Sequence, residues 1–490
     1  MIRKSFHIAL LFLFFIAFPS THAAASAKQV HLQVIEKTIR VNGKKSKVFG
    51  IQQRNGKFGL TGKEGDLFNV VVENKTQVPL VLHWHGILSP NDDDGVPYVT
   101  QLPIQPGESY PYEFKLKQAG TYWFHSHYKL QEQKLMAAPL IIYGANEKPE
   151  KEAMLFIQDF TFENPREVYA KLRGNLQQAA ASSDKMPMNM PTMGKKMAMP
   201  DVSDVKFDAY LTNHRTLSNP QVIRVKPGET VRLRIINGSA SSNYYVDLGK
   251  LQGTLFAVDA EPVQPVQGSR FQLAIGNRLD IRVQIPPGQG AYPILALPEG
   301  TRQRTGLILA TTHAAVPRLS ETTESVNPVL NDEQEKKLKA LHPFPLRPIK
   351  QSLLYNLEGD MKTYRWTING EVWPYVTPYK VKPNQRIELY FNNKSGMAHP
   401  MHFHGHVFQI TEINGKKING RKGDSVNVMP HSTMKVVLDT ENPGIWMLHC
   451  HILYHQMGGM MTTVNYENYP ERFTTEQRVK GEQLYDLSPF

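Results

Sequence analysis

The chain has 490 residues, 41% hydrophobic and 20% charged, which excludes a disordered tail, a coiled coil and a polytopic membrane protein. Lys and Arg exceed Asp and Glu by 12, a surplus that serves solubility and weak attraction to anionic surfaces, with no nucleic-acid partner expected. The single cysteine, Cys450, excludes an intrachain disulfide and any site needing two thiolates from one chain.

Arg3 and Lys4 precede an apolar run from Ile8 to Phe18, and small residues from Ala23 to Ala27 follow. This pattern is that of a secretory signal, predicting removal of residues 1–27 and a periplasmic or secreted location. The apolar run is too short for stable membrane insertion, which takes about 20 residues.

Further along, one pattern recurs three times: a turn, an alternating apolar run rich in β-branched residues, and Asn. The copies are Gly65 to Asn74, Gly228 to Asn237 and Asn384 to Asn393, and each reads as a strand. Their starts lie 163 and 156 residues apart, which is the spacing of domains. Nine and eleven residues after Asn74 stand His83 and His85, and the same offsets after Asn393 give His402 and His404. After Asn237 they give Val246 and Leu248. A second repeat aligns Gly120 to His127, which carries His125 and His127, with Gly444 to His451, which carries His449, Cys450 and His451. Its middle copy, Gly290 to Leu297, has no histidine.

Three all-β units of sandwich or barrel type follow, near 28–147, 148–315 and 345–490, with a linker at 316–344 and a short helix within Asn331 to Leu341. The first and third carry equivalent metal-type positions. The second is blank and reads as a spacer or brace. Early in it, residues 186–199 hold Met186, Met188, Met190, Met193, Met197 and Met199, interrupted by Pro187 and Pro191. Thioethers are soft ligands that favour Cu(I), so this segment is a candidate copper collector.

In His-X-His on a strand both imidazoles point to the same side. Four such pairs at repeat-equivalent positions are hard to explain by packing and suit a metal site shared by the first and third units. In His449-Cys450-His451 the cysteine faces the other way, so two sites are joined by one residue. Cys450 with His399, His455 and Met460 makes the two-His, one-Cys, weak-Met set of a blue-copper centre. The remaining eight histidines suit three metals at two, three and three ligands. His406 reads as a packing or supporting residue, and His31, His214, His313, His342 and His431 lie outside the clusters.

His83-Trp84-His85-Gly86, Trp123 to His127, His399 to His406 and His449 to Met461 resemble the four copper signatures of multicopper oxidases. The resemblance covers essentially the whole chain beyond residue 27. It is nearest to three-domain bacterial exported members, which include cuprous oxidases and laccase-like enzymes, and it implies three cupredoxin-like Greek-key domains holding four coppers. It implies a type-1 copper at His399, Cys450, His455 and Met460, and a type-2 copper at His83 and His402. Two type-3 coppers would take His85, His125 and His451, and His127, His404 and His449. The implied reaction passes electrons from a reductant at the type-1 site through Cys450 to dioxygen, which becomes water. Asp94 resembles the family's acid near the type-2 copper, which assists proton delivery. Gln456 stands where several bacterial members have Glu, and it cannot deliver a proton as an acid does. Met397 resembles a Cu(I)-binding methionine of cuprous oxidases, although Ser395 replaces the carboxylate expected beside it. The expected reductant is Cu(I), with Fe(II) beside it. The alternative is a small phenol or aromatic amine, and a non-catalytic copper carrier ranks last. The protein is expected to be a monomer.

Overall fold

The computed structural model describes residues 29–182 and 202–486. The expected signal and Met186, Met188, Met190, Met193, Met197 and Met199 lie outside the described residues.

The three repeated runs form Leu67–Asn74, Thr230–Asn237 and Arg386–Asn393. Each is an inner strand of a sheet. Each pairs in parallel with an earlier strand, Val30–Val41, Lys151–Phe160 or Ile349–Asp360. On its other side each pairs antiparallel with a later one, Ser109–Lys115, Arg278–Gln284 or Thr433–Asp439. The alternation sends Val70 and Val72, Val231, Leu233 and Ile235, and Ile387, Leu389 and Phe391 into buried cores. The two sheets of each unit have four and four, six and five, and seven and five strands. In the first unit, Val70 and Val72 share one core with Trp84, Phe124 and Leu140 of the second sheet. The architecture is three cupredoxin-like β-sandwiches.

The repeated Asn has a structural cause. Its buried amide spans the loop that follows: Asn74 Nδ2 donates to Val78 O at 2.8 Å and Ile104 O at 2.9 Å. Asn237 does the same to Ser242 O, and Asn393 to Met397 O. Each side-chain oxygen accepts the amide two residues on, at Thr76, Ser239 or Ser395. An Asx turn in a dry core needs both halves of an amide, which aspartate lacks.

Residues 331–340 are held against the second and third units. Glu333–Lys337 is a short helix, Gln334 Nε2 donates to Gln272 O, and Glu335 pairs with Arg421. Among the described residues no helix is long and apolar enough to cross a membrane.

Candidate metal centre

Four strand segments bring eight histidines together. Leu82–His85 pairs with Gly120–Ser126, setting His83 opposite His125. His399–Phe403 pairs with Ile445–Cys450, setting His402 opposite His449. The two pairs of strands meet face to face, and rings stack across the join. His83 lies on His404 with centroids 3.7 Å apart, and His85 lies on His402 at the same 3.7 Å. His127, His404 and His449 offer ring nitrogens within 4.8 Å of one another, as do His83, His85 and His125. His451 stands beside His85 and His125, at centroid distances of 5.1 and 5.0 Å. At the same positions of the second unit, Val246 and Leu248 are buried in an apolar core.

The supporting hydrogen bonds repeat with a pseudo-twofold pattern. Asp94 of the first unit accepts His83 Nδ1–H on its backbone oxygen at 2.8 Å, and its Oδ2 accepts His404 Nδ1–H across the join at 2.9 Å. Asp424 of the third unit accepts His402 Nδ1–H on its backbone oxygen at 2.8 Å, and its Oδ1 meets His85 Nε2 at 3.1 Å. Each aspartate therefore holds one histidine of its own unit and one of the other. The second ring nitrogen of each histidine is left facing inward, the arrangement by which supporting groups orient metal ligands.

The Cys450 site lies on the other side of the same strand. Cys450 Sγ is 3.6 Å from His399 Nδ1 and 3.8 Å from His455 Nδ1, and those two nitrogens are 3.2 Å apart. His455 sits in the short helix Leu453–Met457. The Cys450 amide donates to Met460 O at 3.1 Å, which brings the buried Met460 back against the site. Ser395 Oγ bonds His399 Nε2 at 2.7 Å, and Asp204 Oδ2 stands 3.0 Å from His455 Nε2. Trp366 stacks on His455 at 3.9 Å and excludes water from it.

Both sites fit metal ions. At about 2.0–2.1 Å from imidazole and about 2.3 Å from thiolate, near-tetrahedral geometry spaces nitrogens about 3.3 Å apart and sulfur and nitrogen about 3.5 Å apart. The inward pairs match: His404 Nε2 to His449 Nε2 is 3.0 Å, His127 Nε2 to His449 Nε2 is 3.4 Å, and His83 Nε2 to His402 Nε2 is 3.5 Å. His85 Nδ1, His125 Nε2 and both nitrogens of His451 are buried with no hydrogen-bond partner in the protein. Buried polar atoms are ordinarily satisfied, and an ion satisfies these. Burial first, then neighbouring imidazoles, hold His85, His127, His402 and His404 well below the usual histidine range. They are neutral rings with lone pairs to donate. Burial pushes the Cys450 thiol well up, so a thiolate there needs a bound cation.

Several residues act here that sequence reasoning missed. Asp424 is one. Glu132 is another: it is buried, its Oε2 lies 2.9 Å from His125 Nδ1, and burial pushes its carboxyl up to about 7. It puts an acid beside the cluster even though position 456 holds glutamine. Gln456 itself lines a cavity of about 150 Å³ with His127, Met447 and Met461. Asp204 and Trp366 were also unforeseen. His406 donates from Nδ1 to His404 O, and its Nε2 meets Tyr466 Oη at 2.7 Å. Met397 is 4% exposed and packs within the apolar core.

Three cupredoxin-like sandwiches, with a histidine cluster between the first and third and a Cys-His-His site beside it, define a class of copper redox proteins. Models of the multicopper oxidase family match residues 33–147, 152–322 and 346–469. The chain is 31% identical to multicopper oxidase MmcO of Mycobacterium tuberculosis, over 82% of this chain and 80% of that protein. It is 26% identical to copper resistance protein A of Escherichia coli, over 91% of this chain and 93% of that protein. A multicopper oxidase structure from Pseudomonas thermotolerans superimposes with a TM-score of 0.66 at 23% identity, covering 90% of this chain and 99% of that one. The chain belongs to the multicopper oxidase family, copper-binding oxidoreductases that use dioxygen and a reductant.

Proposed function

We propose that this protein is an exported, monomeric oxidase that holds four copper ions and takes electrons singly from Cu(I), with Fe(II) as a further donor. It passes four of them to one dioxygen to form two waters. His399, Cys450, His455 and Met460 would hold the type-1 ion, and His83 and His402 the type-2 ion. His85, His125 and His451 would hold one type-3 ion, and His127, His404 and His449 the other. When bound, copper supplies reversible one-electron transfer and a place for dioxygen to bind. The observation that carries the reading is the covalent step at Cys450. Its sulfur faces His399 and His455, while His449 and His451 on either side face the eight-histidine cluster.

The protein's own groups have separate tasks. Ser395 orients His399, and the ring of Trp366 keeps water from His455. Asp94, bonded to His83 and His404, is the carboxylate through which protons reach the cluster.

Cu(I) is favoured by what flanks the methionine segment. Before it, helix Pro165–Ser182 is tied to the Cys450 site, because Tyr169 Oη donates to Met457 O at 2.8 Å. After it, Asp204 stands beside His455. The described chain on both sides of residues 183–201 is thus anchored where electrons enter. A second reading, oxidation of phenols or aromatic amines, is favoured by an open pocket of about 710 Å³ beside the same site, walled by Tyr169, Tyr364, Trp373 and Tyr375.

The test is oxygen uptake by copper-loaded protein with Cu(I), Fe(II) and a phenol in parallel, with and without residues 186–199. Preference for Cu(I) that is lost on deletion is the expected result. Faster turnover of the phenol, with Cu(I) oxidation unchanged by deletion, would replace the cuprous reading with the phenolic one.

A further inference from the structure

The second unit has no histidine where the other two have theirs, yet its loop 274–277 and the following Arg278 form one wall of the metal cluster. Gly276, at φ +80°, lies so close that a Cβ there would be 3.1 Å from His85 Cε1 and 3.3 Å from His451 Cδ2. Asn277 Nδ2 donates to Ser425 O of the third unit at 3.2 Å. Arg278 is wholly buried. Its Nη1 and Nη2 donate to Asp424 Oδ1 and Oδ2 at 2.8 and 2.6 Å. Its Nε donates to Thr121 O of the first unit at 3.1 Å, and Nη1 also reaches Gly276 O at 3.1 Å. One guanidinium therefore bonds to all three units. Thr121 lies on the strand that carries His125, and Asp424 holds both His85 and His402.

We propose that Arg278 is the positioning residue of the cluster, through which the unit without ligands sets how the ligands of the other two units face each other. The proposal rests on the copper reading above. The physical reason is the planar fork. A guanidinium can meet both oxygens of one carboxylate and still donate at Nε in the same plane, which fixes the carboxylate in rotation as well as position. Asp424 fixed in this way keeps Oδ1 turned toward His85. Asp94, its pseudo-symmetric counterpart, pairs with His83 and His404 and, among the described residues, with no arginine. The brace therefore acts on one half of the pair, and it comes from the middle unit.

The test compares the full-length wild type with Arg278→Met, Arg278→Lys and Arg234→Met. Arg234 is an equally buried arginine of the second unit that pairs with Glu152 and donates to Thr121 Oγ1 without touching Asp424. Each protein is loaded with Cu(II) and challenged with a chelator. Copper per chain, the electron spin resonance signal and the thiolate-to-copper absorption of the Cys450 site are then read. Loss of a supporting partner weakens metal retention about 10–100-fold. That loss is expected in Arg278→Met at the histidine cluster alone, with the thiolate absorption kept as the sign of an intact fold. Arg278→Lys recovers part of the loss, and Arg234→Met behaves as wild type. Unchanged cluster copper in Arg278→Met, equal loss from both sites, or equal weakening in Arg234→Met would each overturn the role of Arg278. Wild type that takes up no copper at the histidines would instead overturn the copper reading itself.

Discussion

Gly95 follows Asp94 and has φ +76°, and a Cβ built on it would stand 1.9 Å from the carbonyl oxygen of Leu82. Real contacts of this kind do not fall below 3.0 Å, so Gly95→Ala forces the chain apart by at least about 1 Å. Leu82 begins the strand that carries His83, and the displaced turn carries Asp94, whose backbone oxygen holds His83 Nδ1–H at 2.8 Å. Two costs add. An alanine at positive φ costs about 1–2 kcal/mol, partly offset by about 0.4–1 kcal/mol from a stiffer unfolded chain. The backbone clash adds about 1–3 kcal/mol. Gly43, at φ +82° in the turn between Val30–Val41 and Lys44–Gln53, has nothing within 4 Å of its Cβ position and isolates the first cost. Thermal melts of the copper-free proteins should show Gly43→Ala lowered by about 2–4 °C, and Gly95→Ala by at least twice as much. Copper retention at the histidine cluster should weaken about 10–100-fold in Gly95→Ala only. Equal melting shifts for the two variants, or undiminished copper retention in Gly95→Ala, would refute the argument that close backbone packing sets the Asp94–His83 geometry.

Two further outcomes are expected. Burial alone would raise the Glu73 carboxyl, but hydrogen bonds from Gln33, Arg54 and His31 outweigh it and hold the group at about 2, against an ordinary 4.5. A depressed carboxylate stabilises the fold above its unfolded pKa and loses that contribution as pH falls toward its folded one. The melting gap between wild type and Glu73→Gln should therefore be widest above about pH 4.5 and close toward pH 2; a gap constant across that window would count against it. Ser395→Ala leaves the buried His399 Nε2 without its partner, at a cost of about 1–3 kcal/mol. The thiolate absorption of the copper-loaded Cys450 site should shift or weaken while the cluster keeps its copper. An unaltered melt and spectrum would show that Ser395 does not orient His399.

Histidines on strands were legible because alternation is a local rule: residues two apart share a face whatever the rest of the chain does. Counting from the repeated Asn worked for a related reason, since that side chain spans its own following loop and ties the register to nearby residues. Asp94 was within reach of such counting, lying nine residues after His85. Asp424 was not. It performs the mirror task but lies 22 residues from His402, whereas Asp94 lies 11 from His83, so no shared offset betrays it. Ser395 was legible only as a missing carboxylate. In the fold it is the partner of His399, and a carboxylate is supplied on the His455 side by Asp204, from another unit.

From the sequence alone came the fold class, the threefold repeat, the blank middle unit and the residues able to bind metal. All of these follow from periodicity and side-chain chemistry over a few neighbouring residues. Only the tertiary structure decided which groups hold those residues in place. His85 meets Asp424 across 339 positions, and Arg278 bonds to Thr121 across 157 and to Asp424 across 146. Such contacts depend on how three sandwiches pack against one another, and no local pattern encodes that geometry. The tertiary structure also placed Met397 within an apolar core, which the sequence left open because a methionine beside a metal site packs inward as readily as it faces solvent.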